Sequence, residues 1–210
     1  MQYDILNLNG EKVDTFEVSS DFENILFNPK LVKELIEFHQ NNIRQATYGT
    51  CNVQDLSFST RKMHRQKGTG RARVSGKGKN PGHRGGRVAF GPDGRKYVMD
   101  MPKKKVRKVL QMCLSAKLKD KSIVFVDNLE MQEIKTKNFL NIVKNLNLTK
   151  KVLFVDEEKV ESLTKSMKNV FGFDFIKLIG LNTLSILKSN YLVITLNAWK
   201  KLEERYEKNR

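Results

Sequence analysis

Hydrophobic and polar positions alternate with three different rhythms along this chain. Near the N-terminus two short alternating runs, Tyr3–Leu8 and Lys12–Val18, flank Asn9-Gly10. An Asn-Gly pair between such runs predicts a β-hairpin, because both residues of the tight turn adopt φ > 0. Asn28-Pro29 predicts a helix start, a capping side chain followed by proline at the first helical position. Beyond it Leu31, Leu35, Phe38 and Ile43 mark one stripe of a helix running to about Ala46. From there to Met101 the periodicity lapses.

It returns at Pro102. Val106, Val109, Leu110, Cys113, Leu114 and Leu118 follow helical spacing and predict a helix over Pro102–Asp120. Four β-branched and aromatic runs come next: Ile123–Val126, Val152–Val155, Phe175–Ile179 and Tyr191–Thr195. Helical stretches separate them, at about Lys137–Leu146, Glu157–Val170 and Thr183–Leu187, and a last helix is predicted near Ala198–Lys208. Apolar runs bounded by amphipathic helices are what a parallel sheet covered on both faces requires. The chain therefore reads as a single α/β domain over residues 1–210, with a mostly parallel sheet in three layers. Residues 47–101 form a long extended basic loop inserted between two of its helices. A connection of that length in a compact domain is functional or disordered.

Charge sharpens the picture. From Arg61 to Lys108 the chain holds 17 Lys or Arg and two acids, Asp93 and Asp100, whereas the other 162 residues are nearly neutral, with 22 basic and 21 acidic side chains. Nine of the 13 glycines lie between Gly68 and Gly94. Such a field suits a polyanion, because Lys and Arg replace the counterions condensed along phosphates. Between Ser59 and Arg87 the only apolar side chains beyond Ala72 are Met63 and Val74. Ordering each backbone costs about 1–2 kcal/mol, and two such side chains return only about 1.5–3 kcal/mol each. The loop is therefore expected to be ordered by an external partner rather than by itself. A neutral linker has no use for such one-sided charge. Glycine lets backbone approach phosphates closely, and arginine grips them bidentately and stacks on bases.

The predicted helix start carries Lys103, Lys104, Lys105, Arg107 and Lys108, where the helix dipole favours anions and repels cations. Phosphates bound there would resolve the misfit. His64 and His83, inside the basic loop, suit stacking on RNA or hydrogen bonding to it; His39 suits a helix boundary. Catalytic signals are thin. Gly76-Lys77-Gly78 and Gly68-Thr69-Gly70 follow no strand and lack the ending of a phosphate loop, so neither predicts a nucleotide cofactor. Asp127 and Asp156 end predicted strands, but no nucleophile or base stands beside them, and cap or loop roles suit them better. Trp199 and Tyr206 fit the inner face of the last helix. Cys51 and Cys113 are isolated, which argues against a disulfide or a zinc site and for a reducing compartment. Neither a basic-then-apolar leader at Met1-Gln2-Tyr3-Asp4 nor an apolar run of about 18 residues is present, so a soluble, cytoplasmic protein with no membrane contact is expected.

The run Arg65-Gln66-Lys67-Gly68-Thr69-Gly70-Arg71-Ala72-Arg73 resembles the loop signature of the bacterial large-subunit ribosomal protein L-four family. Arg84-Gly85-Gly86 and Phe90-Gly91-Pro92 resemble its second signature. Pro102-Lys103-Lys104-Lys105-Val106-Arg107, Leu114-Ser115-Ala116-Lys117 and Leu202-Glu203-Glu204-Arg205 resemble its later helices. The resemblance covers essentially the whole chain. His64 stands where the family usually has tryptophan, and Gly82-His83-Arg84 and Arg87 depart from the second signature.

The resemblance implies a non-catalytic, structural constituent of the large subunit, acting in early assembly as a primary binder of 23S ribosomal RNA. Its loop would line the constriction of the peptide exit tunnel, beside the hairpin of ribosomal protein L-twenty-two and the nascent polypeptide. Carried onto this chain, the tunnel tip would be Gln66, Lys67, Gly68, Thr69, Gly70 and Arg71. Flanking RNA contacts would be Arg61, Lys62, Arg65, Arg73, Lys77, Lys79, Arg84 and Arg87. An RNA-processing enzyme on the same sheet and a free regulator of nucleic acid are the competing classes.

Overall fold

The computed structural model describes residues 2–23, 25–131, 133–149 and 151–207. The chain divides into two units: residues up to His39 together with those from Asp100 onward, and Gln40–Met99.

Among the described residues the first unit is built on six strands. They are β1 (Gln2–Leu6), β2 (Lys12–Glu17), β3 (Ile123–Val126), β4 (Val152–Asp156), β5 (Phe173–Lys177) and β6 (Tyr191–Thr195), in the order β2-β1-β3-β6-β4-β5. Only the β1–β2 pair is antiparallel. The helices are α1 (Ser20–Glu23), α2 (Pro29–Ile43), α3 (Lys103–Lys119), α4 (Thr136–Asn145), α5 (Glu161–Met167), α6 (Thr183–Lys188) and α7 (Leu196–Glu207).

Strand alternation divides the core in two. Phe125, Leu153, Val155, Leu192 and Ile194 face a layer that includes Leu35, Cys113, Leu114, Ile186 and Trp199 from α2, α3, α6 and α7. Val126, Phe154 and Val193 face Phe139 and Val143 of α4 and Leu163 and Met167 of α5. The apolar runs are continuous because both faces of these strands are covered, which bears out the three-layer α/β reading. No helix among the described residues is long and apolar enough to cross a membrane.

Several boundaries move. The N-terminal hairpin closes through five residues, Asn7–Glu11, with a register shift between Ile5 and Leu6, and of the turn residues only Gly10 takes a positive φ, 84°. The longer loop removes the need for two left-handed residues. Helix α2 stops at Ile43, which is exposed and so leaves the predicted stripe; Leu35 is buried, Leu31 and Phe38 pack half-buried against the same core, and Val32 joins them. The predicted strand Phe175–Ile179 begins two residues earlier, at Phe173, and Ile179 sits exposed in a 3-10 turn. Helix α5 begins at Glu161 rather than Glu157, because the Asp156 carboxylate accepts from Thr195 Oγ1 and from the Glu157 N–H, both at 2.7 Å, and so holds the start of that segment in a loop. Helix α7 begins at Leu196; Lys208 lies outside the described residues. Helix α1 was not predicted. It buries Phe22 against Trp199 and Tyr206, with ring centroids 5.3 Å apart in both pairs.

Candidate nucleic-acid interface

Residues 40–99 contain a single short 3-10 turn, Val53–Asp55, and of these 60 residues only Gly76 is buried. The last turn of α2 belongs to this unit. Asn42 donates to the Met99 carbonyl at 3.3 Å and accepts from the Met99 N–H at 2.9 Å, which fastens the two ends of the segment. Above that clasp the chain runs as two arms that touch at pairs straddling Gly70 at roughly equal distances along the sequence. The Thr50 N–H donates to the Pro92 carbonyl at 3.1 Å, Val88 N–H to Cys51 at 3.5 Å, and Ser59 N–H to Lys77 at 3.2 Å. The buried Gly76 makes the last pairing possible. A Cβ there would collide with the Ser59 carbonyl oxygen, so backbone lies against backbone with no room for a side chain.

Tyr48 and Tyr97 join the arms nearer their base, hydroxyl to hydroxyl, and the Arg44 guanidinium lies 4.1 Å from the Tyr97 ring centroid with Arg95 at 5.7 Å. The hydroxyl bond pushes Tyr48 above the ordinary tyrosine range and pulls Tyr97 below it, with the two arginines adding to the second effect. Lys79 stands 5.7 Å from the Phe58 ring centroid. Sequence reasoning passed over Tyr48, Tyr97 and Phe58. Their signal was their placement on opposite sides of the glycine-rich apex.

The apex carries the residues read as a tip. Gln66, Lys67, Gly68, Thr69, Gly70 and Arg71 are all exposed, and Gly68 and Gly70 take φ of 79° and 63°. Arg65 donates to the Gly68 carbonyl at 3.2 Å and Lys62 bonds Gln66, so the turn is braced by its own cations. Arg61, Arg73, Lys77, Lys79, Arg84 and Arg87 are exposed too. His64 is half-buried. His83 is half-buried as well, and its Nδ1 accepts from the Gly78 N–H at 3.3 Å, which occupies one ring nitrogen within the segment. From Leu56 to Pro92 there are 10 Lys or Arg and no acid, so these cations meet no carboxylate neighbour along 37 residues.

In the first unit, Lys103, Lys104, Lys105, Arg107 and Lys108 are all exposed on the opening turns of α3. The first turn has no acid, and Pro102, at the cap position, supplies no capping side chain. Lys105 pairs with Glu34 at 3.1 Å; this exposed pair contributes little to stability. The helix thus presents its positive dipole end and five exposed cations in its opening turns. Asp127 is exposed, and Asp156 is occupied by Thr195 and its own loop. The described residues hold no cluster of three or more His, Cys, Asp or Glu suited to a metal ion. Burial pushes the Cys113 thiol up to about 11, away from nucleophile chemistry.

The model of the ribosomal protein L4/L1 family matches residues 16–205. The chain belongs to the ribosomal protein L4/L1 family. Two curated relatives, each named large ribosomal subunit protein uL4, come from Staphylococcus carnosus (strain TM300) and Staphylococcus haemolyticus (strain JCSC1435). Each is 37% identical to this chain over 202 residues, covering 96% of it and 97% of the relative. The L4/L1 match spans both units, the basic apex and the cationic start of α3. L4/L1 proteins are structural rather than catalytic, which removes the enzyme reading and agrees with the occupied state of Asp156.

Proposed function

We propose that this L4/L1 member is a structural constituent of the large ribosomal subunit, working in the cytoplasm and binding 23S ribosomal RNA from an early stage of assembly. The folded α/β unit docks through the cationic start of α3. Residues 61–87 enter the RNA, with Gln66–Arg71 at the constriction of the exit tunnel, beside ribosomal protein L-twenty-two and the passing nascent polypeptide. Full-length similarity to large-subunit proteins supports the assembly. The observation that carries the RNA reading is the run of 37 residues with 10 cations and no acid, in a segment that buries only Gly76. A segment with so little interior and so much uncompensated charge is completed by phosphates.

The test is binding of the full chain to a 23S RNA transcript across salt, with sedimentation of tagged protein through a salt-washed gradient. Six to ten phosphate contacts predict a loss of about 10³–10⁵ in affinity between 50 and 200 mM salt. The protein should travel with washed large subunits. Reversing Arg61, Arg65, Arg71 and Arg73 to Glu should abolish the steep dependence. A flat salt response, or protein that stays at the top of the gradient, would exclude this role and leave a free regulator.

A further inference from the structure

Most aromatic residues of segment 40–99 have company. Tyr97 has Tyr48 and two guanidiniums, and Phe58 has Lys79. Phe90 is different. Its side chain is fully exposed and contacts no ring or cation among the described residues, and its backbone takes a φ of 53°, which bulky residues avoid. Nothing in Phe90 itself selects that conformation. The surrounding backbone imposes it: the Pro92 carbonyl accepts from both the N–H and the Oγ1 of Thr50, at 3.1 and 3.3 Å, and Val88 bonds Cys51 on the other side. Gly91 lies so tightly against Thr50 that a Cβ there would collide with the Thr50 hydroxyl. The ring is held out into solvent by a clasp on both sides. A strained residue that its surroundings over-determine marks a site with a task.

The field around it names the ligand class. Along the chain Phe90 stands between Arg84, Arg87, Arg95 and Lys96, with Asp93 the one acid among them. An apolar protein partner has no use for that charge, whereas RNA supplies phosphates for the cations and a π-face for the ring. We infer that Phe90 is a stacking platform for an unpaired base of RNA, positioned by the Thr50–Pro92 clasp and the close approach of Gly91. This inference rests on the RNA-binding role proposed above.

The test compares the full chain with its Phe90→Ala, Phe90→Trp and Gly91→Ala variants on two probes, a 23S RNA transcript and inorganic polyphosphate. The second probe offers phosphates without bases. Phe90→Ala should weaken RNA binding about 5- to 150-fold, the range spanned by one lost stacked base. It should leave both the salt slope and polyphosphate binding unchanged, since no charge is removed. Phe90→Trp should keep the wild-type affinity, and its added emission should be quenched on RNA binding above the background of the buried Trp199. Gly91→Ala keeps the ring but displaces it, and should lose part of the same factor. Wild-type RNA affinity in Phe90→Ala, or an equal loss on polyphosphate, would overturn the stacking role alone. Wild-type protein that fails to bind the transcript would overturn the parent reading and this one together.

Discussion

Four of the five residues of β4 are buried, whereas one residue of the 60 in segment 40–99 is. The two regions belong to one chain yet are held by different means. Strand β4 has helices on both faces, and Phe154, fully buried, stacks edge-on to Phe139 at 5.8 Å. Its order comes from apolar area removed from water, which needs no partner. Segment 40–99 is held by scattered backbone pairs, a tyrosine clasp and glycine contacts, each modest in water. A region can thus have a defined path without an interior. Such a path is what an external polyanion can select at small cost.

The two cysteines sit one in each region and report on the two separately. Cys51 is exposed in the segment; Cys113 is buried in α3. A thiol reagent attacks the thiolate, and burial raises the Cys113 pKa from 9.0 to about 11. The sign follows: at pH 8 the raised value leaves Cys113 neutral, and its reaction waits for the domain to open. Labelling of the free protein should modify Cys51 at the rate of an open peptide and Cys113 at least ~10³-fold more slowly, the low end of ordinary folding equilibria. Comparable rates at both positions would mean that the regions do not differ in stability.

A pair of substitutions sharpens the same contrast. Phe154→Ala should cost about 3–5 kcal/mol in urea unfolding, a large part of a domain's ordinary stability. Arg73→Ala, at an exposed position near the apex, should change stability by less than about 0.5 kcal/mol while lowering the slope of log affinity against log salt by about one. Destabilisation by Arg73→Ala on the scale of Phe154→Ala would show that the apex is part of the folded core.

What was legible in the sequence follows the same division. Strands β3, β4 and β6 were readable within a residue because both of their faces are buried, which makes the apolar run continuous. Strand β5 was misplaced by two residues because, at the sheet edge, its residues are only partly covered. That β6 lies between β3 and β4 is a long-range choice with no local mark. Helix α1 was missed because four residues give no period, and Phe22 packs on Trp199 and Tyr206, residues far away in the sequence. In the segment, charge and glycine announced the partner class, but the arm pairing was hidden. Backbone-to-backbone contacts such as Gly76 on Ser59 leave no side-chain pattern to read, and the exposure of Phe90 depends on the Thr50–Pro92 clasp.

The C-terminal end of α3 is a place where the folded unit carries its own strain. Lys121 follows the helix with φ of 50°, the Ser122 N–H bonds the Lys117 carbonyl at 3.0 Å, and the Lys121 N–H bonds Leu118 at 2.9 Å. This is the six-to-one closure that glycine usually makes. Asn147 makes the same closure after α4, with φ of 52° and Leu148 N–H bonded to Val143 at 3.0 Å. A lysine in the left-handed region costs about 1–2 kcal/mol against its right-handed form, and the extra freedom glycine gives the unfolded chain takes back about 0.4–1. Lys121→Gly should therefore stabilise the domain by roughly 0.5–1 kcal/mol, raising Tm by a few degrees. Asn147→Gly should gain less, because asparagine already tolerates that region. Neither change should alter Cys51 labelling, since the strain relieved belongs wholly to the unit with an interior. A gain at Asn147 equal to that at Lys121 would show that side-chain type does not set the strain.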